Sequence, residues 1–188
     1  MRGTLRAWLL FQLAKLHTFI GMRDMAVRSL RLALADDASL APAWRHLAFL
    51  LSASRAPGSD DAFRRAVQLD PAHAPTRFNY GFLLHESGRL AEAEEQFLEA
   101  IRLSPSLDRA WYGLGLINVK RGEFALAAQR LTEAAKLQYH NPYAAYYLTF
   151  AYHKLGEHEK AAREYRRVKA FDPRMAEQIE RDFGVMDG

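Results

Sequence analysis

The chain has no cysteine among its 188 residues. That excludes a disulfide framework, a thiolate zinc site and a cysteine nucleophile. No apolar run approaches the roughly 18 residues that a membrane span requires. An excess of one charge is also missing: the net charge is only +4 and the charged residues are spread along the chain. Such a balance is compatible with an acidic partner and does not single out nucleic acid. Catalytic signatures are absent too. There is no GxSxG, no GxxxxGK[ST], no HExxH and no glycine-rich phosphate loop after a strand, and strand signals are scarce. The seven histidines do not pair with one another or with carboxylates at metal-ligand spacing. No cofactor, no metal and no enzymatic activity are expected. The opening "MRGTLRAWLLFQLAKLHTF" has the basic start of an export signal. Gln12, Lys15 and His17 interrupt its apolar stretch, and no small-residue cleavage site follows.

What is present is a folded composition, 49% hydrophobic and 26% charged, arranged as a repeat. Gly88, Gly122 and Gly156 lie 34 residues apart, each followed by an amphipathic segment. A period of this size marks a solenoid. A small residue follows each turn (Ala26, Ala93, Ala127, Ala161), then a large one (Leu30, Phe97, Leu131, Tyr165), then Ala33, Ala100, Ala134 or Val168. That alternation at helical spacing lets neighbouring helices interlock. Leu13, Leu47, Tyr80, Leu114 and Leu148 form the matching apolar column of the first helices, and Pro71, Pro105 and Pro173 mark stops. Repeat one has Ala38 at its stop position, so its second helix is expected to run on or end loosely. In repeat two, "SRAPGSDD" replaces the glycine turn, with Ser59 or Asp60 as the expected cap.

The pattern W-x2-L-G-x2-Y, A-x3-F, P resembles the tetratricopeptide repeat family. It is carried by Trp111, Leu114, Gly115, Ala127 and Leu131, and again by Tyr80, Gly81, Leu84, Ala93, Phe97, Ala100 and Pro105. The resemblance implies an all-α, right-handed superhelical solenoid of antiparallel helix pairs. We expect a single array with repeats at 7–40, 41–73, 74–107, 108–141 and 142–175. A capping helix is expected over 174–184, with Asp172 as its N-cap and Met175, Ile179 and Phe183 on its apolar face.

In that family the first helices line a concave groove that takes peptide segments. The corresponding positions include Arg45, Phe49, Phe78, Asn79, Phe82, Arg109, Tyr112, Gly113, Leu116, Tyr146, Tyr147 and Phe150. With the flanking columns, the groove face holds eleven of the chain's twenty-two aromatic residues. It also holds Lys15, Arg45, Arg109, Lys120 and Lys154 against one acid, Glu86. Aromatic surface with guanidinium groups suits a partner with apolar and acidic residues. Family members that clamp a chaperone's C-terminal carboxylate need an asparagine and a base where Phe49 and Gly113 stand, so that specificity is not expected.

The expected function is therefore a non-enzymatic scaffold or adaptor binding a protein or peptide partner. The alternative is a self-associating component of a bacterial envelope, secretion or polysaccharide system, with Trp8 as one contact of a homo-oligomer. A cytoplasmic site is favoured, with a periplasmic or envelope-associated one as alternative. The two glycines of "WYGLGLINV" divide the roles. Gly115 belongs to a column of small residues (Ala14, Ala48, Gly81, Thr149) and is expected to permit close helix packing. Gly113 shares a column with Gln12, His46, Asn79 and Tyr147, and is expected to leave a bare patch of groove.

Overall fold

The first helices begin where the sequence stops offering alternatives to helix, and two side chains hold the entry loops in place. Trp44 donates from Nε1 to the Ala38 carbonyl (2.8 Å), and Trp111 does the same to Pro105 (2.9 Å). Arg77 occupies the same column and reaches the Pro71 carbonyl through Nε (2.8 Å). An indole and a guanidinium thus perform one task, tethering a loop carbonyl six residues back. We describe the computed structural model over residues 2–184, with side chains from Thr4 onward.

The described residues form eleven α-helices and no strand. They are α1 (Arg2–Phe19), α2 (Arg23–Asp36), α3 (Ala41–Ala53), α4 (Ser59–Leu69), α5 (Ala74–Glu86), α6 (Leu90–Leu103), α7 (Asp108–Arg121), α8 (Phe124–Leu137), α9 (Pro142–Lys154), α10 (His158–Lys169) and α11 (Pro173–Phe183). The chain divides between Leu83 and Leu84 into two compact units.

In the first unit, α1 packs on α2, α2 on α3 and α3 on α4. Ala26, Leu30 and Ala33 of α2 are buried at their helical spacing, and the buried Ser29 hydroxyl meets His17 Nδ1 (3.2 Å). The end of α2 differs from expectation. The helix stops at Asp36, because the Asp37 carboxylate accepts from both the amide (2.9 Å) and the hydroxyl (2.6 Å) of Ser39. This local turn does the work of the missing proline. Those two bonds hold the Asp37 carboxyl below its usual range. The turn before α4 differs as well. Neither Ser59 nor Asp60 caps the helix: Gly58, in the left-handed region at φ 89°, occupies the N-cap, and Arg55 adopts φ 51°. The shorter turn leaves α4 with 11 residues, where α2 has 14.

In the second unit, α6 packs on α7, α7 on α8, α8 on α9 and α9 on α10. Ala127, Leu131, Leu148 and Ala151 form one core cluster; Ala161, Tyr165, Val168, Ala176 and Ile179 form the next. At the turn after α7, Gly122 takes φ 75° and its amide reaches the Asn118 and Val119 carbonyls, a left-handed termination that favours glycine. Buried Asn118 is satisfied through Nδ2 by Glu123 (2.7 Å). Asp172 caps α11, accepting the Met175 amide (3.1 Å), and Ile179 is buried, with Met175 and Phe183 packed against the same cluster.

The two glycines of α7 both face packed helices. A Cβ on Gly115 would sit 2.5 Å from Leu131 Cγ, which is the close approach expected of it. Gly113 overturns its expectation. It is buried, and a Cβ there would lie 2.7 Å from two ring carbons of Phe97. Gly113 leaves no bare patch for a ligand; it makes room for the phenyl ring of α6.

Candidate functional site

The predicted groove residues separate into two groups, one in each compact unit. In the first unit, Arg45, Phe49 and Asn79 line one depression of about 400 Å³, together with Phe11, Lys15, His46 and His73. Phe49 stands 53% exposed, a large apolar ring beside cations. Arg45 is engaged within the fold: its Nη1 donates to Asp70 (2.7 Å). His46 stands perpendicular to Phe11 (6.3 Å between centroids) and bonds Thr18 Oγ1 through Nε2 (2.9 Å). Burial, then the charge on Lys15, lowers the His46 pKa from its ordinary value. Burial, then Arg45, lowers that of His73, with Asp70 opposing. For both imidazoles burial is the larger cause and a neighbouring cation the smaller one. Phe82 is exposed on α5, and Phe78 is half-buried.

In the second unit the tyrosines form a ladder. Tyr112 meets Tyr147 edge to face (6.1 Å between centroids), and Tyr147 meets Tyr146 (5.2 Å). Burial, followed by the neighbouring Tyr147 and Tyr143, pushes the Tyr112 hydroxyl up to about 12. Leu116 is half-buried on α7, and Arg109 and Tyr143 are exposed at the helix starts.

Sequence reasoning missed what covers the end of this ladder. Phe183 of α11 packs on Tyr146 (5.1 Å), Phe150 (5.4 Å) and His153 (5.8 Å). The Tyr146 hydroxyl donates to Asp182 (2.7 Å). Burial and then this bond raise the Tyr146 pKa to about 12. Phe150 is held from another side by Phe124 (5.7 Å). Tyr146 and Phe150 thus serve the chain's own last helix. The signal was the apolar face of α11, whose spacing identified Phe183 without identifying its neighbours. Among the described residues no group of three histidine or carboxylate side chains is placed to hold a metal ion. No helix there is long and apolar enough to cross a membrane.

Paired helices with small-on-large joints, repeated along the chain, define a helical-repeat fold. The chain belongs to the tetratricopeptide repeat family: a TPR repeat matches residues 81–122, and two further tetratricopeptide repeat families match 62–95 and 112–176. Members of this family are generally interaction modules without enzymatic activity. No curated protein matches the sequence. Among solved structures, PilF of Pseudomonas aeruginosa is 24% identical, with TM-score 0.79 over 98% of this chain and 87% of its own. MamA of Desulfovibrio magneticus is 17% identical, with TM-score 0.81 over 89% and 96%. YrrB, a TPR protein with an unusual peptide-binding site, is 16% identical, with TM-score 0.80 over 92% and 90%. At these identities the likeness concerns the fold.

Proposed function

We propose that the chain is a non-enzymatic adaptor that takes a peptide segment bearing acidic and aromatic residues on the first-helix faces of its repeats. The observation that carries this reading is Phe49, an exposed ring in a depression that also holds Lys15, with Arg45 at its edge paired to Asp70. An aromatic side chain of the ligand gains contact with Phe49 and Phe11, and a carboxylate of the ligand pairs with Lys15. In the second unit, Arg109, Tyr112, Leu116 and Tyr147 offer the same chemistry. Gly113, Tyr146 and Phe150 drop out, because Phe97 and α11 occupy them.

The probe is a synthetic peptide alternating glutamate and phenylalanine, followed by NMR of the histidine ring protons. Binding is expected to move the His46 titration to higher pH, because an anion offsets Lys15. Lys15→Glu combined with Phe49→Ala is expected to weaken binding at least ten-fold with helicity unchanged. Undiminished binding by that variant removes the groove from the mechanism.

A further inference from the structure

The last turn of α11 reaches past the core that α11 shares with α9 and α10. Ala176 and Ile179 are the buried residues of α11, and they sit in that core beside Ala145, Ala161 and Val168. Phe183, one turn beyond Ile179, also lays its ring among Tyr146 (5.1 Å between centroids), Phe150 (5.4 Å) and His153 (5.8 Å) of α9. Asp182, directly before it, is exposed and accepts the Tyr146 hydroxyl (2.7 Å).

The rings that Phe183 covers belong to the first-helix columns of the groove. Phe49 and Phe82 hold the position of Phe150 in earlier repeats, and both are exposed. Phe150 is half-buried, covered by Phe183 on one side and Phe124 on another. A helix that only sealed the core would need apolar residues there. It would not need a carboxylate beside the ring, bonded to a groove tyrosine. An acid followed by an aromatic residue is the chemistry proposed for the groove's ligand, and here the chain supplies it.

We infer that Tyr146, Phe150 and His153 form a seat for an acid–aromatic pair, held by Asp182 and Phe183 as an internal competitor. A partner segment with aspartate or glutamate directly before an aromatic residue takes the seat by displacing the last turn of α11. This rests on the groove being a peptide site, and it gives the ligand an order. The carboxylate accepts from Tyr146, and the next ring enters among the three aromatic side chains. Ala176 and Ile179 keep α11 anchored, so the exchange concerns only the turn that Gly184 ends in the left-handed region (φ 66°). A competitor tethered beside its seat reduces the apparent affinity for a free ligand by the fraction of chains whose seat is open.

The probe is the peptide alternating glutamate and phenylalanine, labelled and titrated into the full chain by fluorescence anisotropy. Asp182→Ala with Phe183→Ala is expected to tighten binding about five-fold or more. Adding Tyr146→Phe and Phe150→Ala is expected to remove that gain. Asp182→Asn alone leaves the ring in place and is expected to tighten binding about two-fold, which keeps a test in hand if the double variant loses helicity by circular dichroism. The inference is overturned if neither α11 variant gains affinity, or if the gain survives the loss of Tyr146 and Phe150. Lys15→Glu with Phe49→Ala separates it from the proposed function, because the gain is expected to persist in that background. Binding that falls with Lys15 and Phe49 but never rises with the α11 variants removes the internal competitor and leaves the groove reading in place. A gain from the α11 variants without any loss from Lys15 and Phe49 removes the first-unit depression and leaves the seat. No binding by any variant at about 1 mM peptide overturns both.

Discussion

Helices α1 and α7 carry the same apolar columns and meet opposite surroundings. Leu114 and Ile117 of α7 are sealed within the packing of α6, α7 and α8, while Leu13 and Leu16 of α1 face solvent. The residues hardly differ; the neighbours do. In a repeat fold a leucine is core only when the adjoining helix is present, so the same side chain is buried in one place and exposed in another. The C-terminal side offers a third case. There α11, outside the 34-residue period, lays Ile179 and Phe183 on α9 and α10 and leaves that end covered.

Substitution at matched positions tests this contrast most severely in the leucine column. Leu114→Asp buries a carboxylate in a closed joint and is expected to cost about 4 kcal/mol or more, lowering the urea midpoint sharply. Leu13→Asp, one helix face over water, is expected to stay within about 0.5 kcal/mol of the parent. Equal losses at both would mean that α1 is covered in solution. A smaller effect is expected at the glycine column. Gly113→Ala places a methyl against Phe97 and is expected to cost about 1–3 kcal/mol, despite alanine's higher helix propensity. Gln12→Ala, in the same column of α1, is expected to be neutral or slightly stabilising by thermal denaturation.

The least disruptive test concerns pH. Tyr146 and Tyr112 both have hydroxyls raised to about 12, but only Tyr146 bonds Asp182. A raised tyrosine pKa means that the folded state holds its proton more tightly than the unfolded chain. The stabilisation is complete below about pH 10 and is lost as pH rises from there through about 12. Asp182→Asn is expected to lower the Tyr146 value in a spectrophotometric titration and to leave Tyr112 where it was. A shift of both would make α11 a support for the whole tyrosine ladder rather than a partner of Tyr146 alone.

The repeat period made most of the fold legible. It located the small and large columns that become helix joints, and it separated Gly115 as a packing residue. Reading down a column failed at Gly113, because the requirement runs across columns. The facing residue in α6 is Phe97, where α2 and α8 have Leu30 and Leu131. At position 113 that ring leaves no room for a side chain. The groove was legible as a list of aromatic residues but not as free surface. Tyr146 and Phe150 are claimed by α11, whose contacts follow no repeat rule. Arg45 is claimed by Asp70, whose reach across 25 residues no local spacing reveals. The end of α2 escaped for a plainer reason: an Asp-x-Ser turn ends the helix there without a proline to mark it.

The glycine pair of α7 has a consequence for how the chain folds. Two glycines two residues apart leave the helix poor at forming alone, since each costs about 1 kcal/mol relative to alanine. Its order is supplied from both flanks, by Phe97 on one and Leu131 on the other. The order of this helix therefore depends on both flanking helices, and a change at Phe97 or at Leu131 bears on the same two turns of α7.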